Sequence, residues 1–291
     1  MSIKLNDQAK NLREDFSKNE TQIISISGGK GGVGKSVFSV NISAELAKRG
    51  KKVLLFDSDA GFANASILLG KASSNSFSDY INGNISLEDC IQKTDYGVNV
   101  VTTGFDFKDW KIFQNNFTDS MAEEFLSLAR KHDYVIIDIG AGYSEKLKTF
   151  YLSSDKILLV TIPEPTAIVN AYTLIKALSI IGVNAEMDIV LNMIKDKSEI
   201  KSVEEVLKKT VKNFLSKDIQ NFFYVMYDDV VHESVRRQIP LVHYRENSKT
   251  VKNIVYIVDH ILDENKENKN KMKNISFFER FKNMFNPGGK D

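Results

Sequence analysis

This chain has little that suits an oxidising compartment or a membrane span. Its 291 residues contain one cysteine, Cys90, so no internal disulfide can form, and a lone thiol fits a reducing cytosol. There is no run of about 18 apolar residues that could cross a bilayer, and no secretory signal. Any membrane contact is therefore expected to be peripheral. Neither charge dominates: 39 Lys and Arg face 38 Asp and Glu, which removes the global basic balance of a nucleic-acid binder. His132, His232, His243 and His260 show no metal-ligand spacing and read as structural or exposed. The length is enough for one α/β domain with a sizeable core and appendages.

Against these absences stands one stretch, Ser27-Gly28-Gly29-Lys30-Gly31-Gly32-Val33-Gly34-Lys35-Ser36. Residues 29–36 fit G-x-x-x-x-G-K-[ST], with a strand-like run (Ile23, Ile24, Ile26) before it and helical apolar spacing from Val37 to Arg49 after it. Strand, glycine loop and helix are the context in which this pattern binds phosphate. Glycines let backbone N–H groups face phosphate oxygens at a helix N-terminus, whose dipole also favours negative charge. Lys35 is expected to reach the β- and γ-phosphates, and the Ser36 hydroxyl to ligate Mg²⁺. The nucleotide cradle is thus Gly29, Lys30, Gly31, Gly32, Val33, Gly34, Lys35, Ser36 and Val37, with Lys30 either a second phosphate cation or a solvated loop lysine.

The second lysine gives Lys30-Gly31-Gly32-Val33-Gly34-Lys35-Ser36, which resembles the deviant phosphate loop of the MinD/ParA ATPases. The resemblance spans roughly residues 22–262. It implies ATP with Mg²⁺ and a homodimer that forms on ATP binding, in which Lys30 touches the partner's nucleotide and joins Lys35 in catalysis. The related iron–sulfur carriers need paired cysteines, which Cys90 alone does not supply.

Further strings carry the same resemblance. Val53–Phe56 reads as a buried strand ending in Asp57-Ser58-Asp59, where carboxylates sit beside ligands in open α/β sheets. An acidic strand-end turn is the plain alternative. By resemblance Asp59 positions the attacking water, Asp57 supports the Mg²⁺ shell and Asn64 contacts the partner subunit. Tyr134–Asp138 is four apolar residues ending in a carboxylate, so Asp138 would hold Mg²⁺ through water. Gly140-Ala141-Gly142 follows, with Ile139 where the family more often has Thr or Ser. Ile157–Val160 leads into Pro163-Glu164-Pro165-Thr166 and a helix through Leu178. Glu164 is assigned to the nucleotide, Glu164 and Thr166 to the dimer face, and Asn192, at the end of the strand Ile189–Leu191, to the adenine base. Val37 and Asn170 also depart from the usual residues. The aromatic stretch Phe105–Phe117 reads as local packing or a protein-contact surface.

The two ends narrow the resemblance. Asp7-Gln8-Ala9-Lys10-Asn11-Leu12-Arg13 alone could be an unstructured leader. It is similar, however, to the D-Q-A-x-x-L-R element of the FlhG (FleN, YlxH) flagellar-number regulators. There Asp7, Gln8, Ala9, Leu12 and Arg13 would bind the signal-recognition-type GTPase FlhF and stimulate it. Gly140–Gly142 and Pro163–Tyr172 also resemble that branch. At the other end, residues 263–274 are almost wholly polar and read as a linker. Beyond it Phe277, Phe278, Phe281, Met284 and Phe285 share an arc of roughly 120° on a helix, edged by Arg280 and Lys282. That is the pattern of an interfacial membrane helix, the alternative being a helix docked on its own domain. One such tail anchors weakly, whereas two on a dimer bind much better.

The expected fold is a mostly parallel, twisted α/β sheet flanked by helices. Its expected parts are a docking segment (1–20), an ATPase domain (21–262), a polar linker (263–274) and an amphipathic membrane-targeting helix (275–286). The implied partners are a second copy, an FlhF-type GTPase, flagellar basal-body components and the cytoplasmic face of the inner membrane, reversibly; nucleic acid is not expected. Division-site MinD and a nucleotide-gated scaffold with negligible turnover stay open as alternatives.

Overall fold

The computed structural model describes residues 21–58, 64–71, 75–104, 119–215, 219 and 221–268. In chain order, β1 (Gln22–Ser27) runs into the glycine loop and α1 (Lys35–Lys48) leaves it, followed by β2 (Val53–Asp57), α2 (Asn64–Leu68) and α3 (Phe77–Ile81). A 3₁₀ turn, Glu88–Cys90, precedes β3 (Gln92–Lys93), β4 (Val98–Thr102), α4 (Asp119–Arg130) and β5 (Tyr134–Asp138). Next come α5 (Lys148–Ser153), β6 (Lys156–Thr161), α6 (Pro165–Ile180), β7 (Glu186–Ile194), α7 (Ser198–Leu215) and β8 (Phe222–Met226). Three helices close the described chain: α8 (Val230–Arg237), α9 (Leu241–Tyr244) and α10 (Lys249–Asn268).

The strands form one eight-stranded sheet in the order β3-β4-β2-β5-β1-β6-β7-β8. Every pairing is parallel except that of β3 with β4. The order changes direction at β1, which lies between β5 and β6, and that is where open α/β sheets bind ligands at their C-terminal edge. The apolar strand runs reflect burial on both faces. Ile23, Leu54, Phe56, Val135 and Ile137 face a core under α4–α7, whereas Ile24, Ile26, Leu55, Tyr134 and Ile136 face one under α1, α9 and α10. Phe56 is the hub of the first, in ring contact with Phe77, Phe125 and Phe150.

At the N-terminal edge of the sheet lies a charged cluster. Lys156, 1 % exposed, pairs through Nζ with Asp188 (2.8 Å), Glu264 (2.7 Å) and Glu186 (3.5 Å). Burial alone would depress this lysine, but Asp188 and Glu264 outweigh it and raise its pKa. Ligand atoms of Asp188, His260 and Glu264 converge within 4.8 Å, a grouping that histidine spacing alone does not reveal, but the Lys156 ammonium already serves both carboxylates. The cluster ties down α10 beyond Leu262: Glu264 lies 2.7 Å from Lys156 Nζ and 2.9 Å from His260 one turn back, and the helix runs on to Asn268. Residues 263–268 of the expected linker are therefore helical.

Candidate functional site: a phosphate cradle at the C-terminal edge of the sheet

The loop between β1 and α1 is held by close packing beneath it and is open above. A Cβ on Gly28 would lie 2.6 Å from the Val160 carbonyl oxygen, and one on Gly29 2.3 Å from the Asn170 carbonyl on α6. At Gly31 and Gly32 a Cβ would meet nothing within 4 Å, so these glycines leave room for a phosphate to approach the backbone. Gly34 caps α1 at φ 90°, a left-handed conformation that glycine adopts without strain. Lys35 is buried at the helix start, 8 % exposed, and Val33 two residues before it is 1 % exposed.

Asp57 and Asp138 are register partners on adjacent strands, so their buried carboxylates stand side by side at the sheet edge. Asp138 Oδ1 accepts from Ser39 Oγ at 3.0 Å, and the Asp138 carbonyl accepts from the Ser58 hydroxyl (2.8 Å) and amide (3.0 Å). Asp57 Oδ2 accepts from the Ala65 amide at 2.9 Å, which ties β2 to the start of α2. Ser39 is absent from the sequence-predicted set. It lies one helical turn beyond Lys35 and Ser36, and that spacing is its only sequence signal. Carboxylates such as Asp57 and Asp138, with a hydroxyl such as that of Ser36, are the kind of hard-oxygen donors that Mg²⁺ prefers, and the open loop leaves room for a polyphosphate.

Lys30 points elsewhere. Its Nζ donates to Glu164 Oε2 (2.9 Å) and Thr166 Oγ1 (3.2 Å), and the side chain keeps 38 % of its surface exposed. Three residues assigned to a dimer face thus meet within one chain. Asn192 Nδ2 donates to the Val33 carbonyl at 2.9 Å, so in this structure it braces the phosphate loop. The irregularity between Leu191 and Ile194, with Met193 at φ 55°, brings it there. Ile139, where a hydroxyl was expected, is fully buried in the core beneath α4–α7. Val37 borders a shallow cleft with Asn41, Leu68 and Val235.

Several expected residues lie outside the described ones: Asp59, the segment Asp7–Arg13, the aromatic stretch Phe105–Phe117, and Phe277, Phe278, Phe281, Met284 and Phe285. Asn64 opens α2. Among the described residues no helix is long and apolar enough to cross a membrane.

The comparisons with known proteins agree with this geometry. A family model described as an AAA domain matches residues 21–191. The antiactivator FleN of Pseudomonas aeruginosa is 30% identical over 227 residues, covering 78% of this chain and 81% of FleN. The flagellum site-determining protein YlxH of Helicobacter pylori is 32% identical over 206 residues, covering 70% of this chain and 69% of YlxH. Among solved structures, the septum site-determining protein MinD of Pyrococcus horikoshii, complexed with Mg-ADP, superposes with a TM-score of 0.70 at 27% identity. That match covers 87% of this chain and 100% of the MinD chain.

Proposed function

The chain belongs to the FleN/YlxH group of MinD/ParA-type P-loop ATPases, and from that premise we propose that it is an ATP-driven dimerisation switch regulating flagellar number or placement. The observation that carries the reading is the division between two loop lysines. Lys35 is buried at the head of α1, where it would meet its own chain's nucleotide, while Lys30 stands half-exposed with Glu164 and Thr166. A cation so placed can add to the field around a second chain's phosphates, where developing charge needs it.

In this reading Ser36, Asp57 and Asp138 hold Mg²⁺, which neutralises phosphate charge. Asp59 orients the attacking water, Asn64, Glu164 and Thr166 meet the partner chain, and Asn192 turns towards adenine once nucleotide binds. Hydrolysis returns the dimer to monomers. Replacing Asp59 by Ala is expected to trap an ATP-bound dimer, and an ATPase rate equal to wild type would remove that role. The flagellar output rests on the relatives called FleN and YlxH and on the Asp7–Arg13 string. Residues 1–20 would stimulate an FlhF-type GTPase, with Gln8 nearest its nucleotide, and the helix at 275–286 would hold the ATP-bound dimer on the inner membrane.

The test is the GTPase rate of the FlhF-type protein from the same cell, with and without a peptide of residues 1–20. Stimulation that vanishes with Gln8→Ala supports the reading. The likeness to MinD favours division-site placement as the second reading. It needs no Asp7–Arg13 element, so deletion of residues 2–20 would then leave function intact.

A further inference from the structure

We infer that Tyr151 is a positioning residue that couples the phosphate loop to the Gly140–Gly142 segment, so that the loop registers whether a γ-phosphate is present. Tyr151 lies on the short helix α5 with its side chain fully buried. Its hydroxyl is 2.5 Å from Ser27 Oγ, at the foot of the phosphate loop, and 3.0 Å from the Gly142 carbonyl oxygen. A carbonyl only accepts, so the single tyrosine proton goes to Gly142 and the serine donates to the tyrosine. The polarity of the relay is therefore Ser27 to Tyr151 to Gly142. Burial pushes the phenol well up from its ordinary value, which keeps that proton in place.

Gly142 is held from both sides. Its amide donates to the Gly28 carbonyl at 2.8 Å and its carbonyl accepts from Tyr151, at a φ of 78° that a side chain would resist. The tyrosine itself has no such latitude. Ser154, just past α5, meets Ser25 of β1 at 2.6 Å, and Asp155 accepts from the Ile23 amide at 2.9 Å. Helix and strand therefore form one platform, and the peptide at Gly142 is the partner outside regular structure. In the ATPase reading a γ-phosphate bound over the loop would come near Gly142, whose amide is tied to Gly28. A backbone drawn towards it has to carry the Tyr151 bond with it or break it.

The inference rests on the ATPase reading, and the test separates the two. Tyr151→Phe keeps the ring and removes only the hydroxyl. In the full chain with Mg²⁺, ADP affinity should stay within about twofold of wild type, while affinity for a non-hydrolysable ATP analogue and the hydrolysis rate each fall about fivefold, the scale of one net hydrogen bond. Equal losses for ADP and the analogue would reduce Tyr151 to a structural part of the loop and overturn the inference, as would no loss for either. Ser27→Ala, which leaves the bond to Gly142 in place, should give a smaller loss in the same direction. The double variant should be no worse than Tyr151→Phe, and additive losses would contradict the relay. A wild-type chain that binds neither nucleotide would overturn the ATPase reading and this inference with it.

Discussion

Asn192 shows how far a single position can be read without coordinates. Its place beside the loop was legible, although β7 runs on past it to Ile194. Its present partner was not, because the irregular β7–β8 pairing that turns it towards Val33 has no sequence signature. Asn192→Ala should remove both the donor to the Val33 carbonyl and the group proposed to turn towards adenine, and weaken Mg-ADP binding about tenfold, or about 1.4 kcal/mol. Titration calorimetry reads this directly, and unchanged affinity would contradict a role for Asn192 in holding the nucleotide. Ser39 was missed for a related reason, since a serine inside a helix carries no mark of the carboxylate it meets. His132 gives a pH dependence. Its Nδ1 faces the Leu128 carbonyl (3.0 Å) and so must carry a proton, leaving Nε2 to accept from Asn99 Nδ2 at 2.9 Å. Burial holds its pKa below the ordinary value, and the same cause lowers His243. Well above a pH of about 6.5 both histidines are neutral in folded and unfolded chains alike and contribute almost no pH dependence. As pH falls below that, the unfolded chain takes up protons first and stability drops. The urea midpoint should be lower at pH 5.5 than at 7.5, with the drop reduced in His132→Gln; equal midpoints would contradict this assignment.

At the scale of elements, both-face burial made the central strands readable: Ile23–Ile26, Val53–Phe56, Tyr134–Ile137 and Ile157–Val160 are apolar runs of strand length. The helix α5 was not legible, because Lys-Thr-Phe-Tyr-Leu-Ser has too few residues to establish a period. Its place is set by the tertiary contacts of Tyr151 and Phe150. The edge strand β3, two residues long, is too short to show an alternation. The end of α10 was also misplaced, since the polar composition after Leu262 hides the buried cation that Glu264 meets. Lys156→Ala leaves Asp188 buried without its cation, with Asn221 Nδ2 still donating to it at 2.9 Å. Loss of one partner from a buried pair costs roughly 3–5 kcal/mol. The urea midpoint should fall accordingly while nucleotide affinity at the opposite edge of the sheet holds. A midpoint within error of wild type would show that the cluster is not a stabilising tie.

For the whole molecule, the fold and the phosphate loop were readable from one motif in its strand–loop–helix setting, and family membership from the second lysine and the strings around it. Composition had little to add, because a balanced net charge and a buried thiol, pushed up to about 11 chiefly by burial, exclude functions without naming one. What joins the parts is the half-exposed position of Lys30, where hydrolysis by one chain would depend on another. The most direct measurement is the ATPase rate per chain across a range of protein concentrations, for wild type and for Lys30→Ala. The dimerisation account predicts a wild-type rate per chain that rises with concentration and levels off, and a Lys30→Ala rate that stays low and flat while Mg-ADP still binds. A wild-type rate per chain that is independent of concentration, matched by Lys30→Ala, would contradict it.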